Sequence, residues 1–327
     1  EQGIVLKPIR PVDSVPAPLP TPCTVEMALR FYADLRAAVS KQLLLLLAEH
    51  ASEPAEGARL AHLASAAGKQ EYNDHVVRDG RGLTEVLQEF RSATPPLGAL
   101  LELVPKLTPR YYTISSSPAA DAASCHLTVK VLREPMRNAP RRLKVGVCST
   151  QLETLTAGCR AVVFVRPSAF RLPADMATPL VMVGPGTGVA PFRALLQEMG
   201  AAAVSRTGRT LLYFGCRYAK KDYIYESELA AALKQGTLTT LRLAFSRDAK
   251  DKVYVQHLMR KDARQLWPLI HTEGAHVYVC GGTSMGRAVV STLQEMAAQQ
   301  GRMSDEAAAA FIKRLTAQGR LVQELWS

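Results

Sequence analysis

No two cysteines of this chain stand in a C-x-x-C pair, and none stands with histidine at ligand spacing. Cys23, Cys125, Cys148, Cys159, Cys216 and Cys280 are scattered over 327 residues, so neither a zinc site nor a disulfide framework is indicated and a reducing compartment fits best. Long apolar runs are missing as well. The longest, LLLLLA at 43–48, covers under two helical turns inside an amphipathic pattern, far short of a membrane span, and no signal-peptide pattern opens the chain. The net charge of +11 could serve nucleic acid, but aromatic residues make up only 6% and few stand among the scattered Lys and Arg, so a nucleic-acid groove is the weaker reading. An acidic protein surface, an anionic cofactor or a merely solvated basic face remain.

A 47% hydrophobic content over this length supports two or three cores. The start, EQGIVLKPIRPVDSVPAPLPTP, is a proline-rich extended lead-in. From 24 to about 104 the chain reads as almost entirely helical. Thr24 and Ser52 are expected as N-caps, Glu26, Glu53 and Glu56 as first-turn acids, and Leu29, Tyr32, Leu35 and Val39 as one helical stripe. Between 109 and about 172 the texture turns to β-rich pieces, RYYTI, CHLTVKVL and AVVFV. Beyond 179, LVMV, TLLYF, TLRLAF and HVYVC alternate with helical segments near 191–203, 226–235, 252–262, 284–300 and 305–318. That order is a doubly wound α/β domain with a mainly parallel sheet, whose ligand lies outside the carboxyl ends of the strands.

The first such end is VMVGPGTGVAPFRALL at 181–196. Gly184, Gly186 and Gly188 let the backbone turn sharply, and Pro191 suits the first turn of the helix that follows, so backbone amides and the helix dipole make an anion site. No Gly-Lys-Ser/Thr follows, which argues against a nucleotide triphosphatase, and Val189 stands where a Rossmann fingerprint has its last glycine. On its own the stretch also fits a plain strand-to-helix joint. At the end of LRLAF, Ser246, Arg247, Lys252 and Tyr254 suit a dianionic phosphate under an aromatic ring, where an acid would have favoured the free ribose hydroxyl; NADP is therefore the sharper reading and a solvated loop the blander one. Cys280, followed by Gly281 and Gly282, could face a nicotinamide or be an inert buried thiol. In RYYTISSSP, Arg110, Tyr112 and Ile114 share one strand face and Tyr111 and Thr113 the other, a pattern that fits a second dinucleotide or ordinary strand aromatics.

Together these stretches resemble the FAD- and NADPH-binding half of the diflavin reductases, the cytochrome P-450 reductases above all, over nearly the whole chain. The likeness rests on ASEPAE at 51–56, RYYTISSSP at 110–118, GVCST at 146–150, FVRPSAFRLP at 164–173, GPGTGVAPF at 184–192, LYFGCR at 212–217, AFSRD with KVYVQHL at 244–258, HVYVCGG at 276–282 and the terminal LWS. It implies a ferredoxin-NADP-reductase-like fold, α/β plus β-barrel: an extended lead-in over 1–23, a helical connecting region over 24–108, an antiparallel FAD-binding barrel over 109–175 and a doubly wound NADPH domain over 176–327. It implies an NADPH-dependent flavoprotein reductase that passes hydride from NADPH to FAD. Electrons then go to FMN on a flavodoxin-like domain and on to a haem protein such as cytochrome P-450. Modules serving sulfite reductase, nitric-oxide synthase or iron-sulfur assembly, and an NADP-binding fragment without turnover, are the alternatives. The implied setting is the cytoplasmic face, with endoplasmic-reticulum anchoring through a segment outside this one and no direct membrane or nucleic-acid contact here.

Roles carry over residue by residue. Arg110 matches the arginine on the FAD pyrophosphate, Tyr112 the ring stacked on the flavin, with Tyr111 beside it, and Thr113 the hydroxyl near flavin N5. Thr128 and Lys130 join the FAD set, and Gly146, Val147, Cys148 and Ser149 match the turn over its phosphates. Gly186 and Thr187 match the NADPH pyrophosphate turn; Ser246, Arg247, Lys252 and Tyr254 match the 2′-phosphate site, and Gln256 joins the cofactor-binding set. Cys280 matches the thiol at the nicotinamide, Glu324 the carboxylate near the C-terminus, and Trp326 the ring that covers the flavin. No metal site is implied. Gly282 departs from the family by standing where an aspartate is usual, Glu324 by replacing an aspartate, and Thr113 by replacing a serine.

The strands that normally open the barrel have no counterpart before Glu1. An open barrel edge is unstable unless covered, so this chain alone is expected to bind NADP(H) while holding FAD weakly. Flavin measured per purified chain checks this, and a full equivalent of tightly bound FAD would overturn it.

Overall fold

Capping and apolar spacing lay out the first part of the chain. The computed structural model describes residues 3–4 by backbone alone, then 19–20, 22–136, 142–201 and 208–326; most of the proline-rich lead-in lies outside the described residues. Two units form, residues 1–111 with 131–159 and residues 112–130 with 160–327.

In the first unit, β1 (Gly3–Ile4) pairs antiparallel with β2 (Cys23–Thr24). Thr24 then caps α1 (Val25–Met27), its hydroxyl accepting the Met27 N–H at 3.1 Å, and a wide turn carries the helix through Ala28–Tyr32. The expected stripe breaks there. Ala33 is extended and pairs with Lys106, so Leu35 and Val39 reach the core from a loop rather than a helix. Ser40 caps α2 (Lys41–Glu49), whose leucine run divides by helical period: Leu43, Leu44 and Leu47 are buried while Leu45 is exposed.

Ser52 is not a cap, contrary to expectation. Glu53 holds that position before α3 (Pro54–Ala64), because Pro54 lacks the N–H that the first helical position leaves unpaired. Glu53 therefore precedes the first turn, and Glu56 occupies it. After α4 (Lys69–Tyr72), a wide turn at Asn73–Val77, α5 (Leu83–Glu89) and α6 (Leu97–Leu103), the hairpin β3 (Arg133–Pro135) and β4 (Leu143–Val145) leads into α7 (Val147–Thr154).

The second unit is built on β5 (Leu180–Val183). There follow α8 (Ala190–Ala201), β6 (Thr210–Cys216), α9 (Ala219–Asp222), α10 (Glu226–Gln235) and β7 (Thr240–Phe245). Then come α11 (Val255–Lys261), α12 (Ala263–His271), β8 (His276–Gly282), α13 (Thr283–Gly301), α14 (Asp305–Ala317) and β9 (Leu321–Trp326). The five strands pair in parallel in the order β7-β6-β5-β8-β9. Alternate residues feed two cores, Val181, Val183 and Tyr213 packing with α11 to α14, and Leu180, Met182 and Phe214 with α8 and α10.

The doubly wound domain is thus as the alternation predicts. The strand β9 and helix α12 were not foreseen, and α11 begins at Val255 rather than near 252. Three pieces expected as strands do not form ladders. In RYYTI and CHLTVKVL the only pairing among the described residues is a single Ile114–Leu127 bridge, and AVVFV forms no ladder, with Val162, Val163, Phe164 and Val165 exposed. β-branched composition favours an extended backbone, but a strand needs a paired neighbour. Among the described residues, antiparallel pairing between 109 and 175 otherwise consists of β3 with β4. No described helix is long and apolar enough to cross a membrane.

Between β6, β7 and the α11–α12 corner lies a polar network. Buried Tyr213 donates its hydroxyl to Asp262 at 2.9 Å, and Arg242 Nε donates to the same carboxylate at 2.7 Å. Burial and then the Asp262 carboxylate push the Tyr213 phenol well up, so it remains a donor. Asp262→Ala leaves that buried hydroxyl without its acceptor and is expected to cost about 1–3 kcal/mol. Urea unfolding followed at the second unit checks the value.

Candidate functional site

The connections leave β5 in opposite directions, to β6 on one side and later to β8 on the other, so the crevice opens at the carboxyl ends of β5 and β8. The glycine turn sits there. Gly184 donates its N–H to Tyr213 O at 3.0 Å, Gly186 has φ +58°, and Gly186–Val189 form a 3₁₀ turn running into α8. A Cβ on Gly184 would meet Gly188 O at 2.3 Å, and one on Gly188 would meet Cys280 O at 2.1 Å. All three glycines are therefore required, and the turn is locked onto the end of β8. Thr187 lies within the turn, half-buried. The first N–H groups of a helix have no partner inside it, so they face the crevice as an anion site.

At the end of β8, Cys280 is fully buried and opposite Glu324 in the β8–β9 register; Gly282 is opposite Trp326, which is exposed. Thr113 Oγ1 donates to Glu324 Oε2 at 3.4 Å. Burial above all, then Glu324, push the Cys280 thiol up to about 12, against a hydrogen bond from Thr113. The thiol is thus neutral at physiological pH and suits close packing against a ring, not nucleophilic attack. Gly282 caps α13 and brings no side chain.

The end of β7 is fastened to the end of β6. Ser246 N–H donates to Cys216 O at 3.0 Å and Arg247 N–H to Arg217 O at 2.9 Å. This sets Arg217 beside Arg247, a cation that the sequence reading missed although LYFGCR carried it. Lys252 is exposed, as is Tyr254, which lies edge-on to His257 with ring centroids 5.5 Å apart. Gln256 Oε1 is buried without a partner. Among the described residues Arg217, Arg247 and Lys252 form no ion pair, whereas Arg193, Arg209, Arg242 and Arg260 all do. Unpaired cations around a hydroxyl fit a phosphate that is not one of the protein's own groups, whereas the orphaned Gln256 oxygen, an acceptor, suits a donor instead.

The remaining candidates of the second unit do different things. Thr128 shares a 2.8 Å hydrogen bond with the Tyr225 hydroxyl, Lys130 is exposed, and Tyr112 is half-buried. In the first unit, Arg110 NH2 pairs with Asp34 at 3.0 Å and its NH1 donates to Thr108 O at 2.5 Å, while Tyr111 stands exposed. Asp34 also accepts the Arg36 N–H, and Arg36 NH1 reaches Val145 O at 3.5 Å, which links Arg110 to the turn at Gly146. There Gly146 N–H donates to Leu132 O and Ser149 Oγ accepts from Leu132 N–H at 3.2 Å. A Cβ on Gly146 would lie 2.4 Å from Ser149 Oγ. Val147 and Cys148 begin α7, half-buried, and Thr150 Oγ1 is buried without a partner. A helix start, a nearby guanidinium and an orphaned hydroxyl fit a second phosphate group.

Residues 1–151 match the FAD binding domain and residues 182–291 the oxidoreductase NAD-binding domain. The chain is 42% identical over 325 residues to the NADPH–cytochrome P450 reductase of Cavia porcellus, covering 95% of this chain and 47% of that protein. To the reductases of the same name from Homo sapiens and Salmo trutta it is 40% and 38% identical, over 95% of this chain and 47% and 49% of theirs. The chain pairs an FAD-binding with an NAD-binding oxidoreductase domain, as the reductase half of the diflavin reductases does. It spans about half the length of the curated relatives it matches. Both nucleotide-binding domains of that family's reductase half are therefore present, and the fold class agrees with the reading from sequence.

Gly188→Ala drives a methyl group into a backbone carbonyl that cannot rotate away. Overpacking of this kind costs about 1–3 kcal/mol, and the anion-binding turn is expected to be displaced with it. Thermal unfolding and NADP+ titration of the variant check both effects.

Proposed function

We propose that the protein is an NADPH-dependent flavoprotein reductase that takes hydride from NADPH onto FAD. When bound, NADPH offers hydride at nicotinamide C4 and FAD accepts it at N5. The observation that carries the reading is the packing of the glycine turn onto the end of β8. It sets a pyrophosphate site beside Cys280, with Thr113 and Glu324 around the thiol.

In this reading Gly186 and Thr187 hold the pyrophosphate through backbone amides. Ser246, Arg247, Lys252 and Tyr254, with Arg217 added, hold the 2′-phosphate, and Gln256 joins the cofactor-binding set. Cys280 packs neutral against the nicotinamide, Glu324 and Thr113 hold a carboxylate and a hydroxyl at the reacting end, and Trp326 shields the flavin face until nicotinamide takes its place. Arg110, Tyr111 and the Gly146–Ser149 turn of the first unit take the FAD phosphates; in the second unit Tyr112, Thr128 and Lys130 are the residues that the motif assigns to FAD. For Arg110 this requires sharing its guanidinium between Asp34 and the phosphate.

The functional division we propose is a helical connecting region over 24–108, a flavin region over 109–175 and the NADPH domain from 176 onward. As the family resemblance implies, electrons pass onward to FMN on a flavodoxin-like domain and then to a haem protein such as a cytochrome P450, at the cytoplasmic face of the endoplasmic reticulum. One observation favours a second reading, NADP binding without turnover: Gly282 leaves the nicotinamide loop without the family's usual carboxylate.

A yellow protein bleached anaerobically by NADPH supports the first reading, and one that binds NADP+ without flavin supports the second. Arg247→Ala is expected to weaken NADPH roughly tenfold or more, the value of one charge-assisted contact, and to leave NADH nearly unchanged. Equal losses for both nucleotides in calorimetry would remove the 2′-phosphate assignment.

A further inference from the structure

We propose that Ser168 is a positioning residue for the reacting end of the site, fixing the Glu324 carboxylate through its hydroxyl. The inference rests on the reading of Thr113, Cys280 and Glu324 as the group that serves NADPH oxidation.

Ser168 Oγ donates to Glu324 Oε1 and accepts the Phe170 N–H at 3.0 Å. A serine hydroxyl has one proton, and with a backbone donor already on its oxygen that proton is directed at the carboxylate. The other carboxylate oxygen, Oε2, takes Thr113. Each oxygen of Glu324 thus has its own hydroxyl, one beside Cys280 and one on the 168–171 segment.

That segment is itself fixed to the strand that bears the thiol. Phe170 is buried and stacks on Tyr278 of β8 with centroids 5.2 Å apart, and the Tyr278 hydroxyl donates to Arg171 O at 2.5 Å. Tyr278 stands two residues before Cys280, so Ser168 and Cys280 share one rigid support. Glutamate has one more rotatable bond than the aspartate usual in the family. The additional torsion needs an anchor if the carboxylate is to stay at a defined point, and Ser168 supplies it.

The test is a double-mutant cycle of Ser168→Ala and Glu324→Gln, read three ways, with FAD supplied in excess for the kinetic reading. Urea unfolding without nucleotide should give non-additive losses; additive losses would overturn the contact. In anaerobic stopped-flow, Ser168→Ala should slow flavin reduction by NADPH on the order of tenfold while calorimetric NADP+ affinity stays the same, a fall in kcat without a rise in KM. The double variant should be no slower than Glu324→Gln, and Ser168→Thr, which keeps the hydroxyl, should recover most of the rate. Full-rate reduction by Ser168→Ala alone would overturn the positioning role and leave the proposed function standing. Full-rate reduction by Glu324→Gln would remove the role of the whole cluster, and this proposal with it.

Discussion

The contact between Gly188 and the carbonyl of Cys280 governs the crevice. No side chain fits between them, so the turn after β5 and the end of β8 are one piece of backbone packing. This is the point at which connections leave the sheet in opposite directions, so the loops beyond β5 and β8 diverge around a crevice. The glycine contact holds the turn and the end of β8 closely. An anion site made of amides and a thiol at a strand end consequently keep a fixed separation, which is the condition for presenting one end of a long dinucleotide to its phosphate cradle and the other to its reacting partner.

How much of this could be read from the residues depended on the range of the interactions involved. The glycine turn, the four original strands and most helices of the second unit were legible because each follows from local period, capping or turn chemistry. The last strand was not. Leu321 and Leu325 pack on one core and Val322 on the other, and exposed Gln323 interrupts the first face, so six residues give no clean two-residue alternation to read. In RYYTI and AVVFV composition overstated the outcome, since β-forming side chains cannot supply a partner strand. Ser52 failed as a cap for a local reason that was in view, the proline two residues on.

For the site, motif and geometry contributed different things. Ser246 and Arg247, expected on the 2′-phosphate, follow β7 directly, and Arg217 comes beside them only because β6 and β7 are in parallel register, so that Cys216 faces Phe245 and their following residues continue side by side. No spacing in the sequence announces a neighbour thirty positions away. Thr128 shows the converse. Its motif position suggests a cofactor contact, yet its hydroxyl is already used by Tyr225, so a ligand would have to compete with that bond or share it.

The two ends of the crevice also differ in charge, and the difference bears on how the chain tolerates Gly282. At the β7 end cations stand without acidic partners, which leaves their field free for a dianion. At the β8 end Glu324, carried on β9, is brought opposite Cys280 by register. A loop carboxylate after Cys280 would add a negative charge close by, and like charges in a poorly solvated place oppose one another's ionisation. With Gly282 in that position the loop adds no such charge, and the burial that keeps the Cys280 thiol neutral likewise keeps it from becoming an anion opposite Glu324.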